Sequence, residues 1–519
     1  MKNLLLFSIS VLFHLTVFPQ TPTNPSEIKV DTSVPQFYKE EWSSIARHRV
    51  PEWYRDAKFG IYACLGPATV ATQHGTTEWY GWSMYQERPT DWTYAPRKTN
   101  APSREFELHK KLYGNQNEFG YKDFVKLFQP KKFNADEWAE LFKKAGAKFC
   151  GPMAVHHDNY MLWDSKVTRW NSKKMAGVDI CGDMEKAVRK RGMKYLLTFH
   201  HAFTWWYFVP SYSYDGKIPG NEDLYCRPHK FSPDADSFDE YPDAEFEDLW
   251  FSKLNEACSN YAPDLIWFDM GLELLSEDIR KKAYSSLLNM AKYRKQDIGI
   301  CYKIKYHVCI PPSAGILDYE KGRSTVSRQD PWLTDTPLGG WFYNGMKSRS
   351  AKAIVEMLMD IISKNGCLLL CVSPKPDGTI PEDQVETLLN IGKWLDINGE
   401  AVYDTRPWII SGEGPTLLKE DGHFNENWEA IYTDKDIRFT QSKDGMTLYV
   451  TVLDRPKNSE VVVSQLADIY PYLSKSIESV SLIGSEEKIQ WVRNNTGLHL
   501  SFPANASGNY AWCYKIRLK

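Results

Sequence analysis

Residues 134–158 form the stretch NADEWAELFKKAGAKFCGPMAVHHD, which combines a helix, a turn and a strand with a polar end. Asn134 can cap a helix, with Glu137 reaching back to the free backbone, and apolar residues then recur at helical spacing. A glycine at 146 ends that helix, and residues 147–155 are predicted to be a buried strand. The strand is followed at once by His156 and His157. This unit therefore predicts polar chemistry at the carboxyl end of a buried strand.

The same pattern of strand and helix recurs along the chain. Further buried strands are predicted at residues 58–65, 193–199, 264–268, 298–302 and 366–372, with helices between them. Repeated strand–helix–strand units indicate parallel strands joined by crossover helices. Over residues 36–405, this pattern favours an α/β fold, a (β/α)8-like TIM barrel that forms the catalytic domain. An open doubly wound sheet is the main alternative, although it usually carries a glycine-rich turn that this chain lacks after its first strand.

The two ends of the chain differ from this central region. Lys2 precedes an apolar run that extends to Phe18, which predicts a signal peptide at residues 1–20 and a linker at 21–35. We therefore expect a secreted or periplasmic protein, and no other apolar run is long enough for a membrane span. Residues 406–519 contain short alternating segments separated by turns, which predicts a C-terminal antiparallel β-sandwich.

Composition excludes some classes of function. The 519 residues include 63 Lys and Arg against 66 Asp and Glu, so the formal charge of −3 argues against a generally basic nucleic-acid binder. Aromatic residues make up 14%, which suits a large core or a site that stacks on sugar rings. The ten cysteines form no C-x-x-C pair and no zinc-like spacing with histidine, so we expect at most one or two disulfides and no metal centre.

Polar residues at the predicted strand ends suggest the chemistry, because functional side chains of a barrel gather there. Asp269 ends one strand, His200 and His201 end another, and a later segment ends in Glu320. Glu78 and Trp79 lie in the loop after the first strand. Two carboxylates with imidazoles and indoles, without a nucleotide loop, point to glycoside hydrolysis.

A set of short motifs then carries a resemblance to a known family. In chain order the motifs are Lys58-Phe59-Gly60-Ile61-Tyr62, Gly66-Pro67, Glu78-Trp79-Tyr80, Ala145-Gly146-Ala147-Lys148, His156-His157-Asp158, Trp163-Asp164-Ser165, Trp170-Asn171, Pro263-Asp264-Leu265-Ile266-Trp267-Phe268-Asp269, Asp318-Tyr319-Glu320, Pro331-Trp332-Leu333-Thr334-Asp335, Asn365-Gly366-Cys367-Leu368-Leu369-Leu370 and Pro376-Asp377-Gly378-Thr379-Ile380-Pro381. Together, over roughly residues 40 to 415, they resemble the α-L-fucosidases of glycoside hydrolase family 29.

The resemblance implies a barrel followed by a β-sandwich, and a retaining double displacement that needs no cofactor. Asp269 matches the family nucleophile, and Trp267 matches the indole beside it. His156 with His157, and Glu78 with Trp79, match the residues that hold the sugar hydroxyls. The position of the acid/base varies within the family; Glu320 is the best-placed carboxylate, and the alternatives are Asp318, Asp330 and Asp335.

One motif departs from the family pattern. Cys64-Leu65-Gly66-Pro67 stands where most relatives have His-Trp-Gly-Pro, whose histidine touches the sugar. A thiol is a weak donor and a weak acceptor, so we expect the hydroxyl contact to be weakened or supplied by His74 or His200, or the pocket to hold a modified fucose.

The expected partner is a fucosylated oligosaccharide or a fucan, hydrolysed by carboxyl groups about 5–5.5 Å apart. Two alternatives are a non-catalytic carbohydrate-binding barrel and a retaining glycosidase for a related sugar such as L-galactose. No nucleic acid is expected as a partner, and the sequence leaves an oligomer open.

Overall fold

The structure is a computed structural model that describes residues 35–87, 101–229, 241–304, 308–416, 421–426, 429 and 431–519. The predicted signal peptide and nearly all of the predicted linker lie outside these residues. In the described part, no helix is long and apolar enough to cross a membrane.

Eight parallel strands form a closed barrel. Each strand pairs with the next in chain order, and the last strand pairs with the first through partners such as Phe59 and Leu368. The fold is therefore a TIM barrel, and the open doubly wound sheet is excluded. The strands are β1 (Phe59–Ala63), β2 (Phe149–Val155), β3 (Lys194–Phe199), β4 (Leu265–Phe268), β5 (Gly299–Lys303), β6 (Ile316–Asp318), β7 (Trp332–Pro337) and β8 (Gly366–Val372).

Helices and loops surround the barrel, so its strands are buried on both faces, as parallel strands normally are. Asn134 caps its helix as the sequence predicts, because its side chain accepts from the amides of Asp136 and Glu137. The α-helices are α1 (Trp42–Ile45), α2 (Glu52–Ala57), α3 (Pro67–Thr72), α4 (Tyr80–Ser83), α5 (Arg104–Tyr113), α6 (Tyr121–Leu127), α7 (Ala135–Lys144), α8 (Ser172–Ala176), α9 (Ile180–Lys190), α10 (Thr204–Tyr207), α11 (Glu222–Tyr225), α12 (Ala244–Tyr261), α13 (Glu277–Tyr293), α14 (Ala351–Ser363) and α15 (Glu382–Asn398).

The C-terminal part is an antiparallel β-sandwich with its own apolar core. Within the described residues, one sheet has the strand order β13-β16-β11-β10-β9 and the other the order β12-β15-β14. Helix α14 of the barrel packs against β9 and β10. The strands are β9 (Thr405–Glu413), β10 (Ile437–Ser442), β11 (Thr447–Val452), β12 (Glu460–Val463), β13 (Ile477–Leu482), β14 (Trp491–Asn494), β15 (Gly497–Ser501) and β16 (Trp512–Leu518).

Candidate active site

A cleft of about 240 Å³ lies at the carboxyl ends of the barrel strands. All the site residues predicted from the sequence line it, with the exception of His74. The predicted residues in the cleft are Cys64, Glu78, Trp79, His156, His157, His200, Trp267, Asp269 and Glu320, and they are joined by Tyr62, Met270, Lys303, Lys321, Asp335, Trp341, Phe342 and Phe424.

Asp269 is held in the cleft by the end of β4 and a tight turn. Its amide donates to the Phe199 carbonyl at 3.0 Å, which ties the strand end to β3. Gly271, two residues later, has φ +108°, and a Cβ there would lie 2.7 Å from the Phe203 amide nitrogen. Because only glycine fits this conformation and this contact, the turn fixes the direction in which Asp269 leaves the strand.

The carboxylate of Asp269 is surrounded by nitrogen atoms. Its Oδ2 lies 2.7 Å from His200 Nδ1 and 3.5 Å from His157 Nε2, and its Oδ1 lies 3.1 Å from Lys303 Nζ. Burial alone would raise the pKa of Asp269, but Lys303 and then His200 outweigh it, and the pKa falls well below its usual range. Asp269 is therefore an anion at any pH near neutral, as a nucleophile must be.

Lys303, the last residue of β5, is the central cation of the site. Its buried Nζ lies 3.0 Å from Glu320 Oε2, 3.5 Å from Asp335 Oδ1 and 3.9 Å from Asp318 Oδ2, in addition to the contact with Asp269. Burial would lower its pKa, but the carboxylates prevail and raise the pKa well above the usual value for lysine. Lys303 was not among the predicted site residues, although it directly follows the predicted strand 298–302.

The shared lysine limits the distance between the two proposed catalytic groups. Because Nζ lies 3.1 Å from Asp269 Oδ1 and 3.0 Å from Glu320 Oε2, these two oxygens are at most about 6 Å apart. Retaining glycosidases hold their two carboxyl groups about 5–5.5 Å apart, whereas inverting enzymes need about 6.5–9.5 Å. The arrangement therefore suits a nucleophile and an acid/base that act on the same glycosidic bond.

The three alternative acids occupy different places. Asp335 lines the cleft, and burial raises its pKa to about 6. Asp318 lies beneath it and is fully buried; burial and the neighbouring Asp335 carboxylate raise its pKa well above the usual range. Asp330 is exposed and does not line the cleft. Glu320 and Asp335 both line the cleft and contact Lys303, but the Glu320 side chain is 17% exposed and that of Asp335 only 1%, so Glu320 is the more accessible to a ligand.

The imidazoles of His156 and His157 are buried and neutral. Burial lowers the pKa of His157 to about 4, and it also lowers the pKa of His156 well below normal, helped by the neighbouring His157 and His200. His157 Nδ1 donates to the His200 carbonyl at 2.7 Å, so its Nε2 remains as an acceptor facing the cleft. One imidazole nitrogen from each of His156, His157 and His200 also lies within 4.8 Å of the other two, a spacing that could hold a metal ion.

Several polar groups of the cleft are suited to a ligand with hydroxyl groups. His156 Nδ1 and Trp267 Nε1 are buried and have no hydrogen-bond partner among the described residues. Buried polar atoms are almost always satisfied, so these atoms indicate a missing partner. Burial also raises the pKa of Glu78 to about 7, which allows this side chain to donate as well as accept near neutral pH. Beside it, Trp79 stacks on His157 with ring centroids 5.7 Å apart.

The structure does not bring His74 into the site. Its imidazole is exposed and lies 3.0 Å from the Tyr113 hydroxyl, because the loop after α3 directs it to the surface. Cys64 does line the cleft, and its thiol is buried, with burial raising its pKa well above normal. Of the two histidines expected to replace the missing contact, only His200 is in position, where it donates to Asp269.

Family models match both parts of the chain. The model described as alpha-L-fucosidase matches residues 27–400, and the model for the alpha-L-fucosidase C-terminal domain matches residues 432–517. The chain is 26% identical to the tissue alpha-L-fucosidase of Rattus norvegicus over 502 residues, covering 93% of each protein. It is 27% identical to the alpha-L-fucosidase of Dictyostelium discoideum, covering 72% of this chain and 76% of that protein.

A solved structure shares the fold. The alpha-fucosidase of Thermotoga maritima, crystallised with fucose, superposes with a TM-score of 0.68 at 27% identity, covering 92% of this chain and 99% of that one. The barrel and its paired carboxylates define a glycoside hydrolase of the TIM-barrel class. The family model covers most of the chain, and the chain therefore belongs to the alpha-L-fucosidase family of glycoside hydrolases, family 29.

Proposed function

We propose that this enzyme removes terminal α-L-fucosyl residues from fucosylated oligosaccharides or fucans, with net retention at the anomeric carbon. The observation that carries the proposal is the bridge from Asp269 through Lys303 to Glu320 inside a cleft walled by imidazoles and indoles. A small cleft closed at its base by the barrel suits a single terminal sugar, which supports an exo-acting enzyme.

In the first step, an Asp269 oxygen attacks the anomeric carbon while the bond to the leaving oxygen breaks. Glu320 gives its proton to that oxygen, so the leaving group departs as a neutral alcohol. The sugar is now an ester of Asp269. Lys303, 3.1 Å from Asp269 Oδ1, keeps this carboxylate ionised before the attack.

In the second step, Glu320 takes a proton from water, and the resulting oxygen attacks the anomeric carbon. The ester bond breaks and Asp269 leaves as a carboxylate, which completes the cycle. Two displacements at one carbon restore the starting configuration. His156, His157 and Glu78 hold the sugar hydroxyls through both steps, since their neutral forms can accept or donate.

A sugar-release assay tests this function. Wild-type enzyme should release fucose from a panel of α-linked fucosyl disaccharides, and NMR should detect the α-anomer first, before mutarotation. The β-anomer as first product would contradict retention. Failure on every fucoside, with turnover of an α-L-galactoside, would instead favour the related-sugar alternative.

We also propose that the enzyme is exported, since Lys2 and the apolar run to Phe18 have the pattern of a signal peptide. The mass and N-terminal sequence of protein recovered outside the cytoplasm check this. A mature chain that still begins at Met1 would contradict it.

A further inference from the structure

A segment of the C-terminal domain reaches back to the mouth of the barrel. Residues 421–426 lie between β9 and β10 in sequence, yet their backbone is bonded to the loop that carries Glu320. The Phe424 amide donates to the Glu320 carbonyl at 2.9 Å, the Glu426 amide donates to the Lys321 carbonyl at 3.0 Å, and the Glu320 amide donates to His423 Nδ1 at 3.0 Å. The segment and the proposed acid/base thus form one unit.

A buried ion pair anchors this segment to the barrel. The Glu426 carboxylate, 3% exposed, lies 3.2 Å from Arg349 Nη1. The hydroxyl of Thr336, in β7, donates to the same carboxylate at 2.7 Å. A charge-assisted pair held at this depth is strong and directional. The segment is therefore fixed relative to the cleft.

Phe424 projects from the anchored segment as an exposed part of the cleft wall. It lines the cleft with 55% of its surface exposed, and its φ is +55°. A bulky residue in the left-handed region is a real outlier and persists only where its surroundings hold it there. An exposed aromatic ring, held in a strained conformation beside a catalytic carboxylate, is typical of a functional position.

The family resemblance does not account for this residue, because the two family models match residues 27–400 and 432–517 and leave the segment between them unmatched. We infer that Phe424 forms the leaving-group subsite, where its ring stacks on the apolar face of the sugar to which fucose is linked. The acid/base must lie beside the glycosidic oxygen, and Phe424 is bonded to the backbone of Glu320, so the ring lies on the leaving-group side. This inference rests on the proposed function.

The test compares two substrates in wild type and F424A. One is the fucosyl disaccharide that wild type cleaves fastest, and the other is α-L-fucosyl fluoride, whose leaving group has no ring to stack. Loss of one aromatic stacking contact should lower the ratio of kcat/KM for the disaccharide to kcat/KM for the fluoride about fivefold to tenfold. F424W should restore that ratio. Equal losses on both substrates, or an unchanged ratio, would overturn the inference.

Two controls complete the design. Tyr293→Ala removes an equally exposed aromatic ring, 58% exposed, at the end of α13 and should leave the ratio unchanged. If wild type hydrolyses neither substrate, the proposed function fails, and calorimetric titration decides the inference separately. In that case the ratio of the binding affinity for the intact disaccharide to that for free fucose should still be lower in F424A than in wild type. An equal ratio in both proteins would overturn the inference that Phe424 forms the leaving-group subsite.

Discussion

Lys303 gives the site its electrostatic balance at the scale of single residues. One ammonium group lies within 4 Å of Asp269, Glu320, Asp335 and Asp318, all of them largely or wholly buried. Without it, burial would drive the Asp269 carboxyl towards its protonated form. The lysine thus allows a nucleophile to stay charged within a group of acids, and its removal should be visible in the pH profile.

Lys303→Met is therefore expected to move the acidic limb of kcat/KM towards higher pH. Asp269 must be ionised to attack, and its pKa is depressed chiefly by the lysine acting against burial. Removing a cation at this distance should raise that pKa, and with it the limb, by about one to three pH units. Steady-state kinetics between pH 3 and pH 8 on a fucosyl disaccharide check this. The exposed Lys111, changed to Met, is the control, and an unmoved limb in K303M would contradict the role.

Asp269→Ala should abolish turnover almost completely, by about 10³-fold or more in kcat, because the enzyme loses the group that forms the ester. Added azide should then restore part of the rate, since a small anion can enter the vacated space. It would attack from the side that Asp269 occupied, so the product should be the β-fucosyl azide. Mass spectrometry and NMR of the product check this. A variant that keeps more than a tenth of wild-type kcat would assign the nucleophile to another residue.

The rule that polar residues follow barrel strands predicts much of the site. It selects Asp269, His156, His157 and His200, and the same rule applied to β5 selects Lys303. It neither selects nor excludes His74, because the direction of a loop side chain depends on packing. In the structure, the His74 imidazole lies 3.0 Å from the hydroxyl of Tyr113 on α5. Phe424 was beyond prediction for a similar reason, since only tertiary anchoring by Arg349 brings a sequence-distant segment to the cleft.

The elements most easily predicted were those with long apolar runs. β8 matches its predicted range, and the other predicted barrel strands differ at their ends by a few residues. β6 and β7 were missed. β6 has three residues, and the sequence of β7, Trp-Leu-Thr-Asp-Thr-Pro, is half polar. Its polar side chains are buried because tertiary partners satisfy them; the Thr334 hydroxyl, for example, donates to the Tyr319 carbonyl at 2.7 Å. No local pattern reveals such partners.

Helix α14 carries a buried charge cluster that joins the barrel to the sandwich. Asp360 is fully buried and lies 2.6 Å from Arg438 Nε of β10, 2.9 Å from Lys364 Nζ and 3.8 Å from Arg323 Nη1. Burial would raise the pKa of Asp360, but these cations, led by Arg438, hold it far below the usual range. The carboxylate therefore neutralises cations that would otherwise repel one another across the domain junction.

Asp360→Asn should destabilise the protein by about 3–5 kcal/mol, because it leaves buried cations without their anion. Thermal melts and urea unfolding at neutral pH check the loss. The difference in free energy of unfolding between wild type and D360N should be complete above the unfolded-state pKa of Asp360, about 3.8. It should shrink as the pH falls below that value, because the folded-state pKa is lower still. Asp278→Asn removes a 99% exposed carboxylate of α13 and serves as the control. Identical melts for D360N and wild type would mean that the cluster adds no stability.

At the scale of the whole molecule, the two folded parts depend on each other. The sandwich supplies Arg438 to α14, and the segment before β10 supplies Phe424 and Glu426 to the mouth of the barrel. Helix α14 of the barrel in turn packs against β9 and β10. Composition and alternating strands predict that a sandwich follows a barrel. They do not predict this exchange of side chains, because it depends on the packing of residues far apart in sequence.

The cysteines provide a prediction for the molecule as a whole. All ten lie in described residues, and all are free and buried, whereas the sequence allowed one or two disulfides. Native protein should therefore show almost no reaction with Ellman's reagent over several minutes, because a thiol reacts as an accessible thiolate. Cys309 should react first, since it is 8% exposed and burial raises its pKa only to about 11.

Unfolding in denaturant without reductant should then release the full count of ten thiols. Dithiothreitol should leave the Tm of the native enzyme unchanged, because no covalent bond constrains the unfolded chain. This holds in any compartment, since packing alone protects the thiols from oxidation. A count of eight would reveal one disulfide, and a Tm that falls on reduction would show that it stabilises the fold. Either result would contradict a molecule whose two domains are held together by packing and buried charge alone.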